Sequence, residues 1–288
     1  MKTNAIIRII IYSLVLVILI SILMGVIGYK VYFSNGKIRN DTVRPTESVR
    51  QINQHEVTTQ IQNIEIEWIA GSITIHRSSS LNHISIDEFT SAGSEYEMIM
   101  KQSGQTLKIQ FSEESIKFPS LGISTNISKD LVITVPESWN CNNLEIDAAA
   151  AEVNIQGLTI RELDFDGASG ELILNNCNIV NLEIDTASGD VSFSGSLEAL
   201  DFDAASASFR GEFNQLPRHL DLDAMSGDLE LVLPPDAGFI CNLDTMSGSF
   251  DSDFTFKTHD ESYVCGDGEC KINVNGMSGD VSILKGIE

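Results

Sequence analysis

The stretch NLEIDTASGDVSFSG, residues 181–195, alternates apolar and acidic residues, breaks at Ser188-Gly189, and alternates again. On a strand, side chains two residues apart face the same side, so Leu182 and Ile184 turn inward while Glu183 turns out. Gly189 tolerates the positive φ of a sharp bend, and Ser188 bonds readily to its local backbone. Val191 and Phe193 then re-enter the core. The stretch reads as two short apolar strands joined by a turn.

The same pattern recurs along the chain. Aligned on the residue that leads each turn, it reads DAAAAE (147–152), DGASGE (166–171), DTASGD (185–190) and DAASAS (203–208). DAMSGD (223–228), DTMSGS (244–249) and NGMSGD (275–280) follow, and a weaker copy, EWIAGS, stands at 67–72. The seven strong copies start 19, 19, 18, 20, 21 and 31 residues apart. Positions one and three before each start are apolar, as in Leu163/Phe165 and Leu200/Phe202, and so is position six after it. One such unit cannot bury its own apolar face, but units stacked ~4.8 Å apart can. A row of hairpins would not demand the same residue type at the same place in every copy. A solenoid does, because equivalent positions lie on one another. The expected fold is all-β: a single-stranded β-helix (β-solenoid) with coils of about 19–21 residues, preceded by one N-terminal transmembrane helix.

That helix is read from residues 9–29, IIIYSLVLVILISILMGVIGY, which carry no formal charge between Arg8 and Lys30. At this length a helix covers the ~30 Å hydrocarbon core. The exit, MGVIGYKVYFSN, offers no small-residue cleavage site, so the segment is read as an uncleaved anchor. Residues 1–33 are then the cytoplasmic tip and anchor, 34–56 a polar tether, and 57–288 the body. Within the body, 57–136 form an N-terminal capping part, and 137–288 are repeat coils with an insertion near 251–270. Lys30, Lys37, Arg39, Arg44 and Arg50 count against export, but long domains translocate largely regardless of such charges. The N-terminus is placed in the cytoplasm and the body outside, as a single-pass protein of the cell surface.

The formal net charge of the chain is -23. Residues 1–50 hold seven Lys+Arg against two Asp+Glu, and the remainder holds 11 against 39. Such a body repels nucleic acid and anionic lipid, which excludes both as its partners. Membrane contact is therefore assigned to residues 9–29, and an envelope protein or cell-wall polymer is the expected partner of the body.

The acids fall into rows. One contains Asp147, Asp166, Asp185, Asp203, Asp223 and Asp244; a second, two residues earlier, contains Glu145, Asp164, Glu183, Asp201 and Asp221. Like charges one coil apart repel by roughly 1 kcal/mol per pair in water. Two arrangements would offset this. In the preferred one, each leading Asp accepts hydrogen bonds from the Ser and Gly amides of its own turn. In the other, the first row binds a cation such as Ca²⁺, which takes six to eight oxygens. Neither an EF-hand loop nor the Gly-rich Ca²⁺ nonapeptide is present.

Cys265 and Cys270 enclose GDGE and would approach bridging distance across a four-residue hairpin loop, which makes them a candidate local disulfide. Cys141, Cys177 and Cys241 stand among apolar residues as core side chains. The sequence has no G-x-S-x-G, P-loop or H-E-x-x-H motif. Trp68 and Trp139 are its only tryptophans, and its five histidines are scattered. No enzyme is expected; a polysaccharide-acting β-helix enzyme is the less favoured alternative.

DLVITVP (130–136), the serial LEIDTASGDV units and the closing GDGECKINVNGMSGDVSI (266–283) resemble the putative-adhesin, toast-rack-type β-solenoid family of bacterial envelope proteins. The resemblance spans roughly residues 57–288. It implies a one-sided β-helix, often carried on a membrane anchor in Gram-positive envelopes, and an association with envelope-stress modules. Two roles follow: an adhesin-like or scaffolding interaction module, or a regulatory partner of an envelope-stress signalling system. Copies 147–152 and 203–208 depart from the family turn by lacking Gly.

Overall fold

A computed structural model of the chain describes residues 50–58, 60–90, 97–112, 128–259 and 262–287. The anchor at 9–29 and residues 34–49 of the tether lie outside them. Among the described residues no helix is long and apolar enough to cross a membrane. Nineteen strands are described, and they form one continuous parallel stack with antiparallel strands at its ends.

At the N-terminal end are β1 (Arg50–Val57), β2 (Asn63–Ser78), β3 (Ile84–Thr90), β4 (Ile99–Ser103), β5 (Thr106–Gln110) and β6 (Lys129–Pro136). The middle comprises β7 (Cys141–Gln156), β8 (Thr159–Ser169), β9 (Leu172–Ser188), β10 (Val191–Ser206), β11 (Phe209–Phe213), β12 (His219–Ser226) and β13 (Leu229–Leu233). The C-terminal end holds β14 (Phe239–Thr245), β15 (Phe250–Ser252), β16 (Lys257–His259), β17 (Ser262–Cys265), β18 (Cys270–Ser278) and β19 (Val281–Lys285).

Parallel pairing places equivalent residues of successive copies opposite one another. Leu144, Leu163, Leu182, Leu200 and Leu220 form one inward ladder, and Ile146, Phe165, Ile184, Phe202 and Leu222 the next. On the second wall Val153, Leu172, Val191, Phe209, Leu229 and Val281 line up. All of these are buried. Each contributes ~1.5–3 kcal/mol by leaving water. The weak copy at 67–72 is a true coil, since Glu67 pairs with Asp147 and Gly71 with Ala151.

The turn explains why glycine recurs. Gly189 has φ +120, and a Cβ there would stand 1.7 Å from the Gly170 carbonyl oxygen of the coil beneath. Where Ala151 replaces it, β7 runs through the position without a break.

Two sequence expectations need correction. Residues 50–56, assigned to the tether, belong to a strand: β1 pairs antiparallel with β3 and covers its outer edge, which would otherwise be open to pairing. The last coil is not the last in space. β18 lies between β12 and β14, and β19 between β13 and β15, so the coil that comes last in the chain is an inner one. The 31-residue interval between the sixth and seventh copies contains the return path. β17, paired with β16, runs back antiparallel along the outer side of β14 before β18 enters the stack.

The same return path removes the candidate disulfide. Phe239 lies opposite Cys265 on one side and opposite Cys270 on the other. Two strand spacings, ~9.6 Å, separate the cysteines, beyond the ~7 Å a disulfide spans. All five cysteines are buried free thiols. Burial pushes the Cys141, Cys241 and Cys270 thiols up to about 12.

Candidate functional site

Outward residues of the same strands form an acidic sheet face. In spatial order one row reads Gln110, Glu67, Asp147, Asp166, Asp185, Asp203, Asp223, Asn275, Asp244. The row beside it reads Lys108, Glu65, Glu145, Asp164, Glu183, Asp201, Asp221, Asn273, Asn242. Six consecutive carboxylates stand in each row, ~4.8 Å apart along it. Asp244 is not the sixth of its row as the sequence suggested: Asn275 separates it from Asp223, because β18 enters between their strands. Glu67 takes the missing place at the other end.

Neutral or basic side chains bound the face at both ends. Lys108 Nζ lies 2.5 Å from Glu67 Oε1 and 3.7 Å from Glu65 Oε2, and Gln110 Nε2 donates to Glu67 Oε2 at 2.7 Å. These hydrogen bonds, the Lys108 one first, hold the Glu67 carboxyl below the usual range. At the far end Asn275 Nδ2 donates to Asp223. His219 Nε2 lies 3.6 Å from Asp221 Oδ2. Between these ends the carboxyls of Glu145, Asp147, Asp166, Glu183 and Asp201 are all raised, by partial burial first and neighbouring carboxylates second. Asp185 is pushed up to about 6 and Asp203 to about 7 for the same two reasons. The middle of the face is therefore where negative charge is hardest to hold.

At the turns a second position, the one after the glycine, makes side-chain hydrogen bonds to the next coil. Asp190 Oδ1 accepts from Ser208 N at 3.4 Å, and Ser208 Oγ accepts from Asp228 N at 3.3 Å. Asp228 Oδ1 accepts from Asp280 N at 2.9 Å, and Asp280 Oδ1 accepts from Ser249 N at 2.8 Å. The Asp of the recurring S-G-D was visible in the sequence as the signal for this role; attention to the leading Asp missed it. Ser169 and Ser188 hydroxyls donate to Ala149 and Ala168 carbonyls of the preceding coil.

Among the described residues no group of three His, Cys, Asp or Glu side chains is arranged to hold a metal ion. Asp147, Asp166, Asp185, Asp203 and Asp223 are spread one per coil along the sheet face. They do not converge on a point, whereas Ca²⁺ needs six to eight oxygens around one centre. What the arrangement supplies is a broad negative potential over one continuous sheet face.

The model of the family described as Toastrack DUF4097 matches residues 61–284. Among solved structures, a putative adhesin from Bacteroides fragilis is 13% identical, with 84% of this chain and 100% of that one covered and a TM-score of 0.51. This likeness is one of fold. A putative adhesin from Parabacteroides distasonis is 11% identical, with 82% and 97% covered and a TM-score of 0.39. No curated protein matches the chain.

Proposed function

The chain belongs to the Toastrack DUF4097 family, and on that premise we propose that it is a non-enzymatic interaction module of the bacterial cell envelope. It is held at the outer surface by the 9–29 anchor, and its acidic face is the contact surface. The observation that carries this reading is the pair of six-carboxylate rows. Their middle members are raised in pKa, so the face costs the fold stability, and a solvated surface would be cheaper with neutral residues there. The partner chemistry that such a face fits is a flexible polymer or protein segment bearing amines or guanidinium groups. The adhesin-like or scaffolding role is preferred to the regulatory one because the face is continuous and regularly spaced, suited to a repeating ligand.

The test uses the full chain in lipid nanodiscs, with poly-L-lysine and an uncharged polymer as probes. Poly-L-lysine binding is expected to weaken steeply between roughly 50 mM and 500 mM salt. It should fall at least tenfold in Asp185→Asn/Asp201→Asn/Asp203→Asn. Binding unchanged in that variant would remove the face from the contact. Pull-down of a stoichiometric membrane protein, lost on deleting residues 1–33, would instead move the role to regulation.

A further inference from the structure

Glu88 and Lys129 are fully buried charged residues at the N-terminal end of the stack, 0% and 1% exposed. Thr90 is opposite Lys129 in the antiparallel β3–β6 pair, so Glu88, two residues back, is the diagonal neighbour of Lys129 on the same face. Lys129 Nζ lies 2.5 Å from Glu88 Oε1 and also donates to the Phe111 carbonyl. It sits 4.1 Å from the Phe111 ring centroid and 5.1 Å from that of Trp68. From the other side, Met98 N donates to both Glu88 oxygens, at 3.1 and 3.2 Å. The backbone under the lysine is fixed as well, since Trp68 Nε1 donates to the Lys129 carbonyl at 3.0 Å.

We propose that this pair is a site of covalent self-modification, in which Lys129 Nζ condenses with Glu88 Cδ to form an isopeptide amide tying β3 to β6.

Burial disfavours the ammonium charge, and in the step one proton passes from Nζ to the carboxylate oxygen 2.5 Å away, which leaves an uncharged amine. Desolvation lowers the Lys129 pKa, with the Glu88 hydrogen bond acting against it. A desolvated, uncharged lysine is a nucleophile. It is held against its target, and such intramolecular placement reaches effective molarities of about 10⁵–10⁸ M. The Nζ lone pair attacks Cδ, and the Met98 N–H faces the oxygen on which negative charge develops. The C–N bond forms, one C–O bond breaks, and that oxygen leaves as water with two of the three ammonium protons. The third stays as the amide N–H. No oxidant, reductant or cofactor enters the balance.

The product suits the pocket. Its N–H keeps the hydrogen bond to the Phe111 carbonyl, and its oxygen keeps the one from Met98 N. Two buried charges are replaced by a neutral amide beside the Trp68 and Phe111 rings.

The full chain is purified from membranes, denatured, and weighed intact by mass spectrometry. The expected mass is one water, about 18 Da, below that of the sequence. Tryptic digestion should then yield a branched peptide joining the Glu88 and Lys129 segments, with no cleavage after Lys129. The unmodified mass, with normal cleavage after Lys129, overturns the proposal. Lys129→Arg keeps the cation but cannot form this amide, so it should show its full sequence mass; a persisting deficit would place the modification elsewhere and overturn the assignment. Because that variant can also unfold the end of the stack, the wild-type peptide map decides by itself.

Discussion

Between Asp147 and Asp223 each coil lies on the one that precedes it in the chain, whereas at both ends the chain order and the spatial order part company. β2 lies inside the later β5 and β6, and β18 and β19 lie inside the earlier β14 and β15. An outer parallel coil exposes a row of unpaired N–H and C=O groups. By leaving the outer coil and returning to an inner place, the chain draws antiparallel strands across that edge: β4 on β5, β3 on β6, and β17 on β14. The middle is built by repetition and the ends by strand reversal. Where a turn carries its glycine, as at Gly189, the repeat leaves no room for a side chain, while the ends depend on excursions that break the repeat.

The most damaging way to break this contrast is Gly189→Ala. Its Cβ would meet the Gly170 backbone of the adjacent coil at 1.7 Å, at a positive φ. Neither backbone can retreat without moving the coils apart. A loss of about 4 kcal/mol or more is expected, read as failure to fold or a fall in Tm. Gly157→Ala is the control. It also has positive φ, but nothing lies within 4 Å of the added Cβ, so only the strain of about 1 kcal/mol remains.

Truncating the core tests the same gradient. Phe202 is 0% exposed in the middle and stacks 5.3 Å from Phe209. Phe202→Ala should cost about 3–5 kcal/mol by denaturant titration. Phe250 occupies the position equivalent to Phe209 in the outermost coil, only partly buried among Phe256 and Tyr263. Phe250→Ala should cost about 1–2 kcal/mol. Equal losses would mean that the end coil is as tightly built as the middle.

This gradient also marks how far the sequence could be read. Position-by-position identity of Leu182, Leu200 and Leu220 was enough to give a stacked parallel coil, because only stacking makes those positions equivalent. It was not enough to give the order of coils at the ends. Gly276-Met277-Ser278 and Thr245-Met246-Ser247 carry the same turn pattern, and periodicity does not distinguish which lies outside. The reversal rests on pairings such as Phe239 with Cys265, between residues that share no motif. The acidic face was legible as rows, but its length was not. Glu67 joins it from the weakest copy, and Asn275 interrupts it from a coil displaced in space.

The face offers a smaller but signed effect. Asp185 and Asp203 titrate higher in the folded state than in the unfolded chain, so between about pH 4 and 7 the folded state binds more protons. Stability contributed by these groups is greatest when they are protonated and is lost as pH rises through that window. Thermal melts should therefore show Tm falling from pH 5 to pH 8. Asp185→Asn/Asp203→Asn should raise Tm at pH 8 by a few degrees and flatten the slope, each kcal/mol moving Tm by about 2–4 °C. A slope of opposite sign, or no gain in the variant, would mean that the middle of the face is not under the stress assigned to it.

The smallest effect lies at the end of the same row and has the opposite sign. Lys108 and Gln110 hold the Glu67 carboxyl below its ordinary range, so its stabilisation is present above the unfolded carboxyl pKa and is lost as pH falls through the folded one. Both side chains are substantially exposed, 35% for Lys108 and 41% for Glu67. Such a pair is worth about 0.2–1 kcal/mol. Lys108→Met should therefore lower Tm by no more than about 4 °C at pH 7 and low salt. The loss should fade as pH falls through the lowered folded pKa of Glu67, and at about 1 M salt, where the pair is screened. It should also steepen the acid-side dependence of the middle carboxylates, since Lys108 offsets the charge felt by Glu145 and Asp147. If Lys108→Met leaves the titration of those two groups unmoved by NMR, the end of the row and its middle do not share one field. The neutral and basic residues that bound the face would then be local pairings only, with no part in setting how much charge its centre carries.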